Sequence, residues 1–267
     1  MASSITAITA PSPGTLRIGC AGWSLPRVVW PRFPAEGSHL ERYAARLDCV
    51  EINSSFYRPH RHETYRRWAD SCPESFRFSV KLPKAITHAQ RLRGSLASLD
   101  EFLAQVAGLG DKLGCLLIQL PPSLALEPEV LERFLSGLRQ RHGGAVALEP
   151  RHASGFGPAI EDMLAEFQVA RVLADPVLHA GGESPGGWPG LVYLRLHGTP
   201  KLYWSPYEDA LLKALAARLL QAAREGVDGW CIFDNTAAGE ALGNALTLAE
   251  AISAAARMPR PRRPGRP

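Results

Sequence analysis

The sequence predicts an α/β protein of the (β/α)8 TIM-barrel class. Three observations carry that expectation. Eight short runs rich in Val, Ile, Leu and aromatic residues recur along the chain. Helical patterns separate most of them. The repeating pattern fills about 250 of the 267 residues, the usual size of a closed barrel. Strand–helix alternation implies parallel pairing through right-handed crossovers. An open, doubly wound sheet is the alternative, but the chain lacks the glycine-rich phosphate loop expected after its first strand.

The elements follow in order. The first strand is "LRIGC" (16–20), then the helical "SHLERYAARL". The second is "CVEIN" (49–53), then "HETYRRWADS". The third is "FRFSVK" (76–81), then "LASLDEFLAQVAGL". The fourth is "CLLIQL" (115–120), then "EPEVLERFLSGLRQR". The fifth is "AVALE" (145–149), then "GPAIEDMLAEF". The sixth, "VARVLA" (169–174), is followed by "DPVLHAGGESPGGWPG", whose five glycines and three prolines predict an irregular loop in place of a helix. The seventh is "LVYLRLH" (191–197), then "SPYEDALLKALAARLLQAARE". The eighth is "WCIFDN" (230–235), then "AAGEALGNALTLAEAISAAAR". The strands are β-prone by composition, and each helical run spaces its apolar residues three and four apart.

The barrel domain is expected over 15–257, between a flexible lead (1–14) and a disordered Arg/Pro-rich tail (258–267). The net charge of +4 comes from the C-terminal end. Without Arg257, Arg260, Arg262, Arg263 and Arg266, the 30 basic residues fall to 25, against 26 acidic. A tail of this kind would touch nucleic acid through its charge. No apolar run approaches the length of a membrane span, and "MASSITAITAPSPGT" does not read as a secretory signal. The five cysteines, Cys20, Cys49, Cys72, Cys115 and Cys231, form no C-x-x-C pair. They read as buried free thiols in a cytoplasmic protein.

Barrel chemistry sits at the C-terminal strand ends, and there the polar residues collect. The second strand ends in Glu51 and Asn53, followed by Tyr57 and Arg58. The third ends in Lys81, with His88 beyond it, and the fourth in Gln119. The fifth ends in Glu149, followed by Arg151 and His152. The seventh ends in Arg195 and His197, with Tyr203 in the next loop, and the eighth in Asp234 and Asn235. Side chains two apart share a strand face, so Tyr193, Arg195 and His197 point one way and Leu194 and Leu196 the other. The polar set is expected to point inward, where an apolar layer is the norm. Read as purely structural, the same set would be a buried ion network.

The functional reading is an enzyme of hydrolase or lyase type on a small anionic, phosphate-bearing substrate. Glu51 or Glu149 would be the base and Lys81 or His197 the acid, with Asp234 in the catalytic set. Asn53, Tyr57, Arg58, His88, Gln119, Arg151, His152, Arg195, Tyr203 and Asn235 would bind substrate. Backbone N–H groups from Thr236 to Ala238 would complete an anion cradle. No cofactor is expected. A divalent metal on Glu51, Glu149, His197 and Asp234 is an alternative opposed by the nearby cations. A glycosidase pair Glu51/Glu149, a Schiff base on Lys81, and a non-catalytic protein that binds nucleotides or nucleic acid also stay open. The oligomeric state is not readable from sequence.

The stretches "GCAGWS", "VEINSSFYR", "FRFSVKLPKAITH", "LLIQLPPSL", "LEPRH", "YLRLHGTPKLYWSPY" and "IFDNTAAGEALGNALTL" resemble, in order, those of the YecE-like family, number seventy-two among domains of unknown function. They cover about residues 16 to 252. The resemblance implies a TIM barrel and brings no reaction with it. The chain departs from the family pattern near Gly155, where an aromatic commonly follows the "RH" segment.

Overall fold

A computed structural model describes residues 12–257. The expected tail, and all of the lead but its last three residues, lie outside the described residues. In chain order the elements are β1 (Leu16–Cys20), α1 (His39–Ala44), β2 (Cys49–Ile52), α2 (His62–Asp70), β3 (Arg77–Lys81), α3 (Leu96–Val106), β4 (Leu113–Gln119), α4 (Pro128–Arg139), β5 (Val146–Glu149) and α5 (Pro158–Glu166). They continue as β6 (Val169–Arg171), β7 (Leu173–Asp175), β8 (Gly186–Gly187), β9 (Leu191–Leu196), α6 (Asp209–Arg224), β10 (Asp228–Phe233) and α7 (Glu240–Arg257). Local chemistry sets several helix starts. Ser38 and Glu41 form a capping box on α1, and α4 and α5 each begin on a proline.

The eight expected strands are all present, with two differences. The sixth is split into β6 and β7 around Val172, and the short β8 pairs antiparallel with β6 inside the glycine-rich loop. That loop carries no helix. Every other ladder is parallel. One sheet runs β1-β10-β9-β7 and the other β2-β3-β4-β5-β6-β8.

The two sheets meet at two seams. At the first, β1 and β2 share only the Ala21–Glu51 bridge. Side chains supply the rest: the Tyr43 hydroxyl accepts from Cys20 N (2.8 Å) and donates to Cys49 O (2.9 Å), and Asp48 accepts from Ile18 N. Gly19 makes this approach feasible, because a Cβ there would lie 2.2 Å from Cys49 O. At the second seam the chain passes directly from β6, paired with β5, into β7, paired with β9, while Val172 N donates to Leu148 O.

Alternation sorts the side chains into two apolar sets. The larger cluster lies between strands and helices and includes Val50, Ile52, Ile118, Leu148 and Leu194. The smaller includes Cys115, Leu117, Ala147, Tyr193, Trp230 and Ile232, the neighbours of the polar strand-end residues at a spacing of two. All five cysteines are buried and free. No helix among the described residues is long and apolar enough to cross a membrane.

Candidate active site at the C-terminal strand ends

Arg195, near the end of β9, is 1% exposed and joins three strand ends. Its guanidinium donates to both Glu51 oxygens (Nε to Oε2, 2.9 Å; Nη2 to Oε1, 2.7 Å), to Glu149 Oε2 (2.7 Å) and to Asp234 Oδ2 (3.0 Å). Tyr193, two residues earlier on the same face, adds its hydroxyl, 3.1 Å from Glu51 Oε2 and 2.8 Å from Ser79 Oγ. Burying isolated charges would cost several kcal/mol each, so this bidentate, multiply bonded geometry is what lets them persist.

His197 extends the network. Its Nδ1 lies 3.0 Å from Asp234 Oδ2 and its Nε2 3.0 Å from Glu149 Oε1. Burial works against the imidazolium, but carboxylates at both ring nitrogens outweigh it and raise the pKa above its ordinary value. Arg151 Nη1 also donates to Glu149 Oε1 (2.6 Å) and stands 3.1 Å from His197 Nε2, so two cationic donors converge on one carboxylate oxygen. Burial pushes the Glu149 carboxyl up, yet Arg195, His197 and Arg151 together hold it well below the usual carboxylate range. Asp234 is lowered in the same way, chiefly by Arg195 acting against burial.

Lys81, the last residue of β3, behaves differently. It is 6% exposed, and its Nζ sits 4.2 Å over the Phe56 ring. The surrounding carboxylates are committed to Arg195, His197 and Arg151. Burial, helped by Arg195, lowers the ammonium pKa below its ordinary value.

The loop after β9 covers His197. Tyr203 has φ +66°, its N–H donates to His197 O, and its ring meets the imidazole edge-on at 5.7 Å. Asp175 anchors this loop by accepting from Thr199 Oγ1 and the Tyr207 hydroxyl, both at 2.6 Å. Asn235 is buried and donates to Ser205 O and Asn244 Oδ1, so it fastens the loop to α7. Ala237 N donates to Tyr203 O, which takes one amide out of the expected anion cradle.

The remaining expected binding residues divide into two groups. Half-buried Asn53 has an unpaired Oδ1, and His88 packs edge-on against Phe56 at 4.8 Å, on a π-helical turn (Ala85–Ala89) beyond Lys81. Tyr57 packs edge-on against the same Phe56 ring at 4.9 Å and, with Arg58, lines a groove shared by Phe56, Lys84 and Glu101. His152 Nδ1 accepts from Ser154 N and caps a short turn, and Gln119 donates to Leu120 O. Gly155 packs on Pro150, where a Cβ would come within 2.3 Å, so no aromatic fits at this position.

The donor set does not suit a divalent cation. Arg195 lies among Glu51, Glu149 and Asp234, and no three His, Cys, Asp or Glu among the described residues are placed to hold an ion. The same guanidinium bridges Glu51 and Glu149, where a glycosidase would seat its sugar.

Sequence reading missed three contributors. Tyr193 shares a strand face with Arg195, and Ser79 with Lys81, but neither hydroxyl reads as a site residue by itself. Phe56 lies on a short turn (Ser54–Phe56) and gives no periodic signal.

The comparisons agree with this architecture. A 2.52 Å and a 3.10 Å crystal structure of one Enterococcus faecalis DUF72 family protein match, the latter at TM-score 0.76 and 22% identity over 90% of this chain and 96% of that one. A DUF72 family protein from Thermotoga maritima matches at TM-score 0.73 and 23% identity over 90% and 99%. Among curated sequences, UPF0759 protein YecE of Escherichia coli K12 is 32% identical over 59% of this chain and 58% of its own length. YecE of Escherichia coli O157:H7 is matched over 52% of its length, so the chain spans little more than half of these relatives. UPF0759 protein YunF of Bacillus subtilis is 24% identical over 88% of this chain and 94% of its own. The family model described as "Protein of unknown function DUF72" matches residues 17–266, and the chain belongs to that family.

Proposed function

We propose that the chain is an enzyme of hydrolase or lyase type. It acts on a small anionic substrate, phosphate-bearing compounds included, at the mouth of a closed (β/α)8 barrel spanning 15–257. Closure is supported by the two seams, stitched by Tyr43 and by the β6–β7 passage. The cytoplasm is the proposed location, since five buried free thiols suit a reducing compartment.

One observation carries the enzymatic reading. Seven ionisable side chains from the ends of five strands converge: Glu51, Lys81, Glu149, Arg151, Arg195, His197 and Asp234. A structural network would need only mutually paired groups. Lys81 is surplus to the pairing, and Arg151 keeps 13% of its side chain exposed. Perturbed, surplus groups at strand C-termini favour chemistry. In this reading Arg195, Glu51, Glu149 and Asp234 form a fixed frame. Glu149, bonded to Arg195, Arg151 and His197 and held below the usual carboxylate range, is a poor base, so Lys81 is the group left free to react and His197 the proton donor. Arg151 meets the substrate anion.

The test is a thermal-shift screen with inorganic phosphate, pyrophosphate, citrate and sugar phosphates. At least one should raise Tm in the wild type and lose that effect in Arg151→Ala. No shift, or a shift that survives the substitution, would contradict the reading.

A second reading, nucleotide or nucleic-acid binding without catalysis, rests on the loop after β9. Leu202, Tyr203 and Trp204 are exposed there, and Lys201 Nζ lies 4.4 Å over the Trp204 ring, a pairing that suits base stacking. Binding through the tail would fall steeply with salt and vanish on deletion after Met258.

A further inference from the structure

The chain contains only five lysines, Lys81, Lys84, Lys112, Lys201 and Lys213, among 30 basic residues. Arginine holds nearly every cationic position, both in the buried hub and in the loop staples. That choice has chemical content. Arginine stays protonated in proteins, whereas a lysine can present a neutral amine. The one lysine at the centre of the strand ends is therefore the one residue of the cluster with a primary amine, the group a Schiff base requires.

Its surroundings favour that state. Glu51 on β2, Glu149 on β5 and Asp234 after β10 all face Lys81, but each is held by Arg195 on β9. His88, packed edge-on against Phe56, is pushed toward its neutral form by burial and then by Lys81 and Lys84. Lys81 Nζ makes no hydrogen bond or ion pair among the described residues. It is also not one of the sealed, unpaired side-chain atoms, which are Asn53 Oδ1, Tyr65 Oη, Gln90 Oε1, His142 Nε2, Arg171 Nη1 and Asn235 Oδ1. Solvent therefore reaches the amine. Burial and Arg195 both lower its pKa.

We propose that Lys81 is a covalent nucleophile for a small anionic aldehyde or ketone, whose carbonyl carbon it captures as a protonated Schiff base. This rests on the reading of the strand ends as an anion-substrate site and adds the reacting group. The Nζ lone pair attacks the carbonyl carbon, and the new C–N bond displaces the carbonyl π electrons onto oxygen. Nitrogen gives up a proton and the oxygen becomes a carbinolamine hydroxyl. A proton from solvent turns that hydroxyl into leaving water, and a C=N⁺ bond replaces it. No oxidant or reductant is required. The iminium carries its positive charge where the ammonium now lies, over the Phe56 face at 4.2 Å, so the ring stabilises the covalent state as well. An iminium draws electrons from the bond beside it, which suits a lyase that breaks a C–C or C–heteroatom bond. Hydrolysis then returns the free amine.

Trapping tests this on the full chain. The protein is incubated separately with glyoxylate, pyruvate and glyceraldehyde 3-phosphate in the presence of cyanoborohydride, digested, and the adduct mapped over the five lysines. At least one probe should give a reduced adduct on Lys81 at ten or more times the level on any other lysine. Lys81→Arg, with its fold verified by circular dichroism, should show none at that position, and Phe56→Leu should lower the Lys81 yield. Adducts spread over Lys84, Lys112, Lys201 and Lys213 with none at Lys81 would overturn the inference. Thermal shifts by non-carbonyl anions that depend on Arg151, without trapping at Lys81, would remove the Schiff base and leave the anion-substrate reading standing. Absence of both would remove both.

Discussion

The two ends of the strands use arginine in opposite ways. At the N-terminal ends, Arg17, Arg77 and Arg139 line a cavity of about 290 Å³ together with Trp188, Asp228 and Trp230. Their guanidiniums are spent on backbone carbonyls: Arg17 on Ser75, Arg77 on Glu74 and Phe76, and Arg139 on Phe167, Gln168, His142 and Gly144. They staple the loops around the cavity. At the C-terminal ends, Arg195 binds side chains, and those side chains are buried carboxylates, Glu51 and Glu149 completely and Asp234 nearly so. An open, arginine-lined cavity is thus not where the reactive groups lie. Committed donors make a frame, and chemistry is expected where a charge is left over. Lys81 is that residue.

The largest expected effect comes from the hub. Arg195→Met would leave three carboxylates around an uncharged side chain. A loss of about 3–5 kcal/mol is expected, or roughly 6–20 °C in Tm for a chain of this size. A loss under about 1 kcal/mol would show that the network is not the frame. Arg139→Met, which removes four bonds to carbonyls, should cost less, about 1–3 kcal/mol, with little dependence on salt. Equal losses at the two ends would erase the contrast.

Lys81→Met should go the other way. A desolvated ammonium without a partner is replaced by an apolar chain of similar length, so stability should hold or rise, by up to about 2 kcal/mol, while turnover is lost. A marked fall in Tm would assign Lys81 to the frame.

The pH dependence follows from the network. Glu149 and Asp234 titrate below their ordinary values, so their contribution is present above about pH 4 and is lost as pH falls through the folded values. His197 titrates above its ordinary value. Its contribution is complete below about pH 6.5 and is lost as pH rises through the raised folded value. Urea denaturation between pH 3 and 9 should show both limbs, and His197→Asn should flatten the upper one. The smallest expected effect is that of a chelator: with Arg195 between the carboxylates, EDTA should leave Tm unchanged.

Much of this contrast was legible in the sequence. Alternation along "LVYLRLH" placed Tyr193, Arg195 and His197 on one face, and the same period brought Glu51, Lys81 and Glu149 inward. The partners were not legible, because pairing depends on the register between strands far apart in the chain. Arg195 meets Glu51 across 144 positions. Nothing local shows that one guanidinium serves both glutamates, or that Lys81 is left without a partner. Tyr57 and Arg58 read as neighbours of the site because they follow β2, and the short turn at Ser54–Phe56 leaves both exposed along a groove that shares Phe56 with Lys81. Asn235 follows Asp234 directly, and strand alternation turns it to the other side, toward Asn244.

The most direct measurement is the pKa of the Lys81 amine itself. The protein would be acetylated with a trace of acetic anhydride across pH 6 to 11, with the rate at Lys81 read by mass spectrometry. A titration midpoint below the ordinary lysine value of about 10.4, moving up in Arg195→Met, is expected for an amine desolvated beside a fixed cation. A midpoint at or above the ordinary value, indifferent to Arg195, would mean that Lys81 is one more paired charge and that these strand ends hold no spare reactive group.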